Sequence, residues 1–181
     1  MRPLLLAALV SGVSAAAAPA AGAQSTITRE EALAAVYPGA SVRAEQVFLT
    51  AEQQRRAAAA GGVTIPSALV ARYTATANGR VVGRAYVDTH VVRTKKESLL
   101  ISLDANGRVK RVDVTAFLEP PEYQAPEAWS KQYNGRALDD DLRMHRAIRP
   151  IAGATLTAKA ATDAVRRVLA IDQVLREGTE P

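Results

Sequence analysis

The clearest candidate for chemistry is a hydroxyl group placed where a helix should begin. Three small residues, Ala152 to Ala154, precede Thr155, and an alanine-rich amphipathic stretch follows. The first turn of a helix exposes unpaired N–H groups and the positive end of the helix dipole, which together attract anions. Gly153 would let a ligand approach the backbone closely. The pattern predicts a phosphate or carboxylate beside Thr155 or, more simply, a helix capped by Thr155 or Thr157 that binds nothing.

The helix that follows this hydroxyl is predicted from about Thr157 to Arg176. Arg149 and Lys159 lie within a few residues of Thr155 and could add positive charge to an anion site. Alanines and aliphatic residues recur on one face at helical spacing, the pattern of a helix packed on a core. These residues are Ala161, Ala164, Val165, Val168, Ile171 and Leu175.

Residues 67–117 change to the period of a sheet. Asn78-Gly79 and Asn106-Gly107 are hairpin-turn pairs, and the segments around them mix apolar and polar residues as in an antiparallel meander with one wet face. The most apolar segment, SLLISL, is expected to be an interior strand. His90 is interpreted as an ordinary strand residue, and Lys95 to Glu97 as a solvated loop.

Helices and a long loop are predicted on either side of this sheet. Segments 28–31 and 50–53 each begin with Thr and end with Glu or Gln, the capping-box pattern of a helix start, and the strand-like SVRAEQVFL lies between them. Residues 24–62 are therefore interpreted as an N-terminal helical part. Residues 118–150 have little periodicity and several prolines, typical of a long ordered loop, with a short helix expected at 127–133.

Composition excludes several classes of function. The chain of 181 residues carries a net charge of +5 without a dense basic tract, so we expect no nucleic-acid partner. The absence of cysteine excludes disulfides, thiolate-ligated iron–sulfur clusters and haem attached through cysteines. With only two histidines, no metal site is predicted. Nothing resembles a catalytic triad or a pair of acid/base carboxylates.

The first residues have the features of an export signal. Arg2 supplies a positive start, an apolar alanine-rich run follows, and Ala-Gly-Ala at residues 21–23 is a small-x-small cleavage pattern before Gln24. We expect a signal peptide at residues 1–23, removed after Ala23, and an exported protein that is soluble after cleavage. Residues 24–181 would then form one domain, with residues 63–181 supplying the sheet, the loop and the last helix.

The hydroxyl-bearing segment resembles a motif of a known family. Gly153-Ala154-Thr155 followed by Leu156 and Thr157 is similar to the flavinylation motif of the FMN-binding domain family, which includes the Rnf complex G subunit and the C subunit of the sodium-pumping quinone reductase. In that family a flavin transferase joins the FMN phosphate to the last Thr of the motif, which matches Thr155. The resemblance implies that these five residues bind FMN.

The similarity extends along most of residues 24–181, and it resembles the exported single-domain members. The EALAAVYPGA, GRVVGRAYVDTHVV and DANGRVKRVDV segments take part in it. A Glu-Thr-Pro-Gly loop of the family is partly matched at residues 119–122, which implies that Glu119 and Pro121 lie near the flavin ring. Tyr123 is the nearest aromatic residue that could pack on a flat ring.

Two positions depart from the family motif. The family has Asp where this chain has Arg149, and Ser or Thr where it has Ala152. An arginine beside a phosphate could favour noncovalent FMN. Three alternatives therefore stay open: covalent FMN on Thr155, noncovalent FMN held partly by Arg149, and a flavin-free member of the fold.

The resemblance implies a fold and a function. The expected fold is α+β, an antiparallel sheet packed with helices as in an FMN-binding domain. The expected function is electron transfer through FMN in the periplasm, with a flavin transferase for maturation and a membrane or periplasmic redox partner. We favour an electron carrier over a substrate-converting enzyme. A small noncovalent flavin reductase and a flavin-free adaptor are the rival classes, and the oligomeric state is not predicted.

Overall fold

The computed structural model describes residues 26–178. The predicted signal peptide and its cleavage site lie outside these residues. Within them no helix combines the length and the apolar character that a membrane span requires. The helices are α1 (Arg29–Val36), α2 (Ala51–Gly61), α3 (Glu127–Ser130) and α4 (Thr155–Glu177), and the strands are β1 (Ser41–Phe48), β2 (Leu69–Ala77), β3 (Arg80–Val91), β4 (Lys96–Asp104) and β5 (Val109–Phe117).

The five strands form one antiparallel sheet in the order β1-β2-β3-β4-β5. Each strand pairs with the next along the chain, so the predicted meander and the α+β fold are confirmed. Asn78 and Gly79 both have positive φ (51° and 72°), as a tight hairpin turn requires. The strand-like segment before α2 is β1, so residues 24–62 contribute an edge strand as well as two helices.

Helices cover both faces of the sheet. Side chains of β4 alternate between the faces, and both sets are buried. Leu99, Ile101 and Leu103 belong to the main core with α2 and α4, whereas Leu100 packs with α1 on the other face. The predicted interior position of the SLLISL segment is confirmed, because β4 lies between β3 and β5 with little exposure on either face.

The N-terminal caps of α1 and α2 form as their sequences predict. Thr28 and Thr50 accept hydrogen bonds from the N–H groups of Glu31 and Gln53, whose side chains accept from the cap residues in return. A short helix also forms where the loop was expected to contain one, as α3 and a following 3₁₀ turn at residues 131–133. These elements are specified locally, so sequence alone identifies them.

The interpretation of residues 95–97 as a solvated loop is wrong for its last two members. Lys96 begins β4, and Glu97 is 0% exposed. Across the β3–β4 ladder Glu97 pairs with His90, whose ring nitrogens contact Glu97 Oε2 (3.1 Å) and Asp88 Oδ1 (2.9 Å). Asp88 Oδ2 accepts a hydrogen bond of 2.6 Å from Arg167 of α4. His90 is therefore part of a buried charge cluster, because β pairing placed it opposite a carboxylate.

Burial and charge pull the pKa of His90 in opposite directions. Burial alone would lower the pKa, but the hydrogen bonds to the Asp88 and Glu97 carboxylates outweigh burial and raise it from 6.5 to about 9. Protonated His90 balances the charge of Glu97, whose other carboxylate oxygen, Oε1, has no hydrogen-bond partner among the described residues. Loss of the proton would leave a buried carboxylate uncompensated.

This cluster predicts a loss of stability on the alkaline side of neutrality. Because the folded-state pKa of His90 is above its unfolded value, the protonated ring stabilises the fold fully below pH 6.5, and this contribution disappears as the pH rises through about 9. We expect the free energy of unfolding to fall by about 1–3 kcal/mol across this window. Denaturant unfolding of His90→Gln should show a flatter pH profile. Substitution of the exposed His145 by Asn is the control, and an equal effect of both substitutions would contradict this account.

Candidate functional site

Three chain segments enclose a cavity of about 230 Å³ at one end of the sheet. The β3–β4 turn forms one wall, the chain just after β5 forms the second, and the start of α4 forms the third. In β3, Tyr86, Asp88 and His90 alternate onto the face that α4 covers, and Val92 continues this row into the cavity. The lining residues are Val92, Arg93, Glu119, Tyr123, Gly153, Ala154, Thr155, Leu156 and Thr157.

Helix α4 begins two residues earlier than predicted, and neither threonine caps it. The cap residue is Ala154, which has no side-chain hydrogen bond, and Thr155 is the first residue of the helix. The first bond of the helix runs from the N–H of Ala158 to the carbonyl of Ala154. Among the described residues the N–H groups of Thr155, Leu156 and Thr157 have no partner. The capping alternative is therefore wrong, and the helix presents open donors to the cavity.

The two threonines of this turn have different surroundings. Thr155 is exposed, and its hydroxyl makes no hydrogen bond within residues 26–178. Thr157 is almost fully buried, and its hydroxyl donates to the carbonyl of Tyr123 (2.7 Å), which joins the start of α4 to the second wall. Thr155 thus has a hydroxyl available for reaction, whereas the hydroxyl of Thr157 is occupied in holding the cavity together.

Gly153 is required by the backbone conformation. Its φ is +78°, a region that residues with a side chain rarely adopt. A Cβ atom at this position would meet nothing within 4 Å, so crowding by the protein itself does not demand glycine. The turn that reverses the chain before α4 therefore explains this residue, and it leaves open space beside Thr155.

Glu119 connects the first two walls of the cavity. Its Oε1 accepts hydrogen bonds from the backbone N–H groups of Arg93 (3.1 Å), Thr94 (2.6 Å) and Lys95 (2.7 Å). The N–H groups of Thr94 and Lys95 are the main cause that holds the pKa of this carboxyl below its usual range. Glu119 therefore fixes the β3–β4 turn, and its negative charge is largely satisfied by these donors.

The remaining lining combines apolar surface with positive charge. Val92 and Leu156 supply aliphatic surface, and Tyr123 supplies an aromatic ring. The guanidinium of Arg93 forms no ion pair or hydrogen bond with the described residues. A cavity of this size suits part of a ligand rather than a whole one, since ligand pockets typically reach 300–1,000 Å³. The lining suits a flat apolar group joined to an anion.

The structure brings together seven of the nine residues singled out from the sequence, and two lie elsewhere. Pro121 begins a 3₁₀ turn and does not line the cavity. Arg149 does not line it either: its backbone is fixed by Gln132 Oε1 and Trp129 Nε1, and its side chain is exposed. Val92 and Arg93 were missed, because only the packing of α4 against β3 and β4 brings the β3–β4 turn beside the start of α4.

Thr155 also borders a second, more open cleft of about 640 Å³. Four basic residues line this cleft: Arg143, Lys159, Arg166 and Arg167. Most of these are already engaged, as Lys159 is with Asp163 (2.6 Å). The Thr155 hydroxyl is thus accessible from a positively charged side. A larger cleft of about 780 Å³ lies beside Thr26 and residues 111–114 and contains none of the predicted site residues.

Comparison with known proteins gives a family for the second half of the chain. Residues 95–170 match the family model of the FMN-binding domain. This range includes β4, β5, Glu119, Tyr123 and the start of α4 with Thr155, and it begins two residues after Arg93. No curated protein and no solved structure shows a significant match to the chain.

The role of Glu119 predicts the behaviour of three backbone amides. Glu119→Ala should speed hydrogen exchange at Arg93, Thr94 and Lys95 by roughly 10- to 100-fold, since hydrogen bonds to a charged acceptor contribute about 1.5–3 kcal/mol. Amide exchange followed by NMR measures this directly. Glu122→Ala is the matched control, because Glu122 is an exposed acidic neighbour that makes no hydrogen bond to this turn. Unchanged exchange at the three amides would show that the turn is held by other contacts.

Proposed function

Since residues 95–170 match the family model of the FMN-binding domain, we propose that the protein is an exported electron carrier whose FMN is attached through its phosphate to Thr155. FMN is the cofactor that this domain binds, and when bound it supplies one-electron or two-electron redox chemistry. The phosphate would be attached at Thr155, the ring would lie in the cavity beside it, and the protein would act in the periplasm.

One observation carries the point of attachment. The Thr155 hydroxyl is exposed, unbonded and located at the first residue of α4, beside three unpaired backbone N–H groups. Those donors and the helix dipole would stabilise the negative charge of a phosphate on this oxygen. Thr157 lies on the same turn, but its hydroxyl is buried and hydrogen-bonded to Tyr123. The site therefore offers one reactive hydroxyl rather than two.

The attachment step balances with a flavin phosphoanhydride as the donor. A bond forms between Thr155 Oγ1 and the phosphorus on the flavin side, and the anhydride bond breaks. A nucleoside monophosphate leaves, and the hydroxyl proton passes to a base. No described residue hydrogen-bonds this hydroxyl as a base would. We therefore assign the base to a flavin transferase, which would approach through the open cleft beside Thr155.

The cavity beside Thr155 suits the flavin ring. Val92 and Leu156 would exclude water from its apolar faces, and Tyr123 offers an aromatic surface for packing. The unpaired guanidinium of Arg93 would favour the added negative charge of a reduced ring, which raises the tendency to accept electrons. These residues bind and tune the ring, while none of them is arranged to act on a second, small substrate.

Noncovalent FMN is the second candidate, because the chain lacks two residues of the family's attachment motif. Arg149 replaces the acidic position and Ala152 the hydroxyl position, and both side chains lie outside the cavity. We interpret these positions as contacts for the transferase rather than for the bound flavin. The export signal expected at residues 1–23 would bring the protein to the periplasm, where the transferase and the redox partner would act.

The attachment proposal is tested by substituting the hydroxyl. With the full chain co-expressed with a flavin transferase, we expect flavin absorbance to survive denaturation and the mass increase to map to the peptide that contains Thr155. Thr155→Ala should abolish covalent flavin, whereas Thr155→Ser, which keeps a hydroxyl, should retain a substantial fraction. Flavin that the unsubstituted protein releases on denaturation would favour the noncovalent candidate. Covalent flavin in Thr155→Ala would overturn the assignment.

A further inference from the structure

Three strongly exposed aliphatic side chains lie at the end of the sheet that carries the cavity, and one of them, Leu156, lines it. Leu118, Val91 and Leu156 are 62%, 56% and 52% exposed, and among the large apolar residues of 26–178 only Phe48, at 71%, is more exposed. Val91 ends β3 and pairs with Lys96 of β4, and the N–H of Leu118 donates to the carbonyl of Lys96 (3.0 Å). Leu156 lines the cavity with the residues that follow Val91. The fold gains nothing from this exposure, which points to a contact with another molecule.

The same end of the sheet also carries unpaired positive charge. Among the lysines and arginines of residues 26–178, most side chains form an ion pair or donate to a carbonyl. Those without such a partner are Arg80, Arg93, Lys95, Lys96 and Arg149. Three of these, Arg93, Lys95 and Lys96, lie in and beside the β3–β4 turn. These three basic side chains therefore have no partner within residues 26–178 that would explain their position.

The turn that presents these charges is rigidly held. Glu119 accepts hydrogen bonds from the N–H groups of Arg93, Thr94 and Lys95, and the N–H of Val92 donates to the carbonyl of Lys95 (3.0 Å). Because the backbone is fixed, the positive side chains project from a defined place beside the apolar ones. Preorganisation of this kind lowers the entropic cost of association.

We propose that this surface, formed by Val91, Leu118, Leu156, Arg93, Lys95 and Lys96 and called the docking rim, binds an acidic redox protein that exchanges electrons with the flavin. The proposal rests on the proposed function, since it takes the cavity to hold the ring. An apolar centre with charged residues around it is the usual composition of a protein interface. The unpaired positive charges select a partner with a negative surface and accelerate the encounter.

The position of the apolar side chains favours a protein partner over a lipid surface. Val91 and Leu118 are chain neighbours of the lining residues Val92 and Glu119, and Leu156 lines the cavity itself, so the molecule that covers them comes to lie beside the bound ring. No exposed Trp, Tyr or Phe stands among them, whereas aromatic residues commonly anchor proteins at membrane surfaces. In the exchange one electron leaves the reduced partner and reduces the flavin, and any proton is taken from solvent.

The experiment is rapid-mixing kinetics of the flavin-loaded protein with a reduced acidic [2Fe–2S] ferredoxin as the probe. We expect a second-order rate constant that falls as ionic strength rises, because the encounter is between opposite charges. Lys95→Glu with Lys96→Glu should slow the reaction at low salt by roughly 10- to 100-fold and remove or invert the salt dependence. Leu118→Ser should slow it while leaving the salt dependence in place.

The opposite end of β3 supplies matched controls. Arg80 and Val81 begin the strand, are also exposed, and lie about 35 Å from Val91. Arg80→Glu and Val81→Ser should leave the rate nearly unchanged. Arg80→Glu reverses one charge and the lysine variant two, so an effect of Arg80→Glu half as large on the logarithm of the rate constant would show that net charge alone governs the encounter. That result would overturn the docking rim, as would a rate that no substitution alters.

Two further measurements separate the possible failures. The first is binding of the loaded protein to vesicles of anionic phospholipid. If this binding depends on Leu118 and the two lysines while their substitution leaves the ferredoxin reaction unchanged, the surface binds a membrane and the proposal is overturned. Flavin absorbance and reduction by dithionite, a small reductant that needs no docking, test the proposed function separately. Protein that contains no flavin would refute that function and the docking proposal together, whereas a reducible flavin with unaltered ferredoxin kinetics would refute the docking rim alone.

Discussion

The burial of α4 against β3 and β4 is the interaction on which the cavity depends. Asp172, only 1% exposed, accepts hydrogen bonds from Arg84 and Tyr86 of β3, and Arg167 of the same helix pairs with Asp88. Between these contacts the alanines and aliphatic residues of α4 fill the main core. The direction of the helix is thereby fixed along its length, and its first residue, Thr155, must lie beside the end of the sheet. A buried ion pair of this kind specifies an arrangement more reliably than it adds stability.

The charges at the site are divided between two tasks. The carboxylates near the site are paired within the protein. Glu119 accepts hydrogen bonds from backbone N–H groups, Glu97 contacts His90, and Asp88 contacts His90 and Arg167. Positive charge is left available, on the first turn of α4 and on Arg93, Lys95 and Lys96. The same arrangement would hold a phosphate, favour a reduced ring and attract an acidic partner. One electrostatic asymmetry thus connects the fold, the cofactor and the proposed electron exchange.

The sequence predicted what is encoded within single elements and missed what depends on contacts between elements. Capping boxes, hairpin turns and the apolar face of α4 involve neighbouring residues, and all of them form. Glu97 could not be recognised as buried, because His90 reaches it only across the ladder. Arg166 is not part of the apolar face predicted for α4, yet it is buried and donates to the carbonyls of Gly61, Asp139 and Leu142. Arg93 lines the cavity because α4 packs beside β3, which is also a contact between separate elements.

The most direct test of the central claim is to locate the flavin on the folded protein. Two-dimensional amide NMR spectra of the flavin-loaded and flavin-free protein can be compared residue by residue. We predict the largest shifts at Thr155, Leu156 and Thr157 and at the amides of the β3–β4 turn, because these residues form two of the three walls that would contact the cofactor. Shifts confined to residues 111–114, which line the larger cleft and not the cavity, would contradict the claim that the cavity at α4 holds FMN.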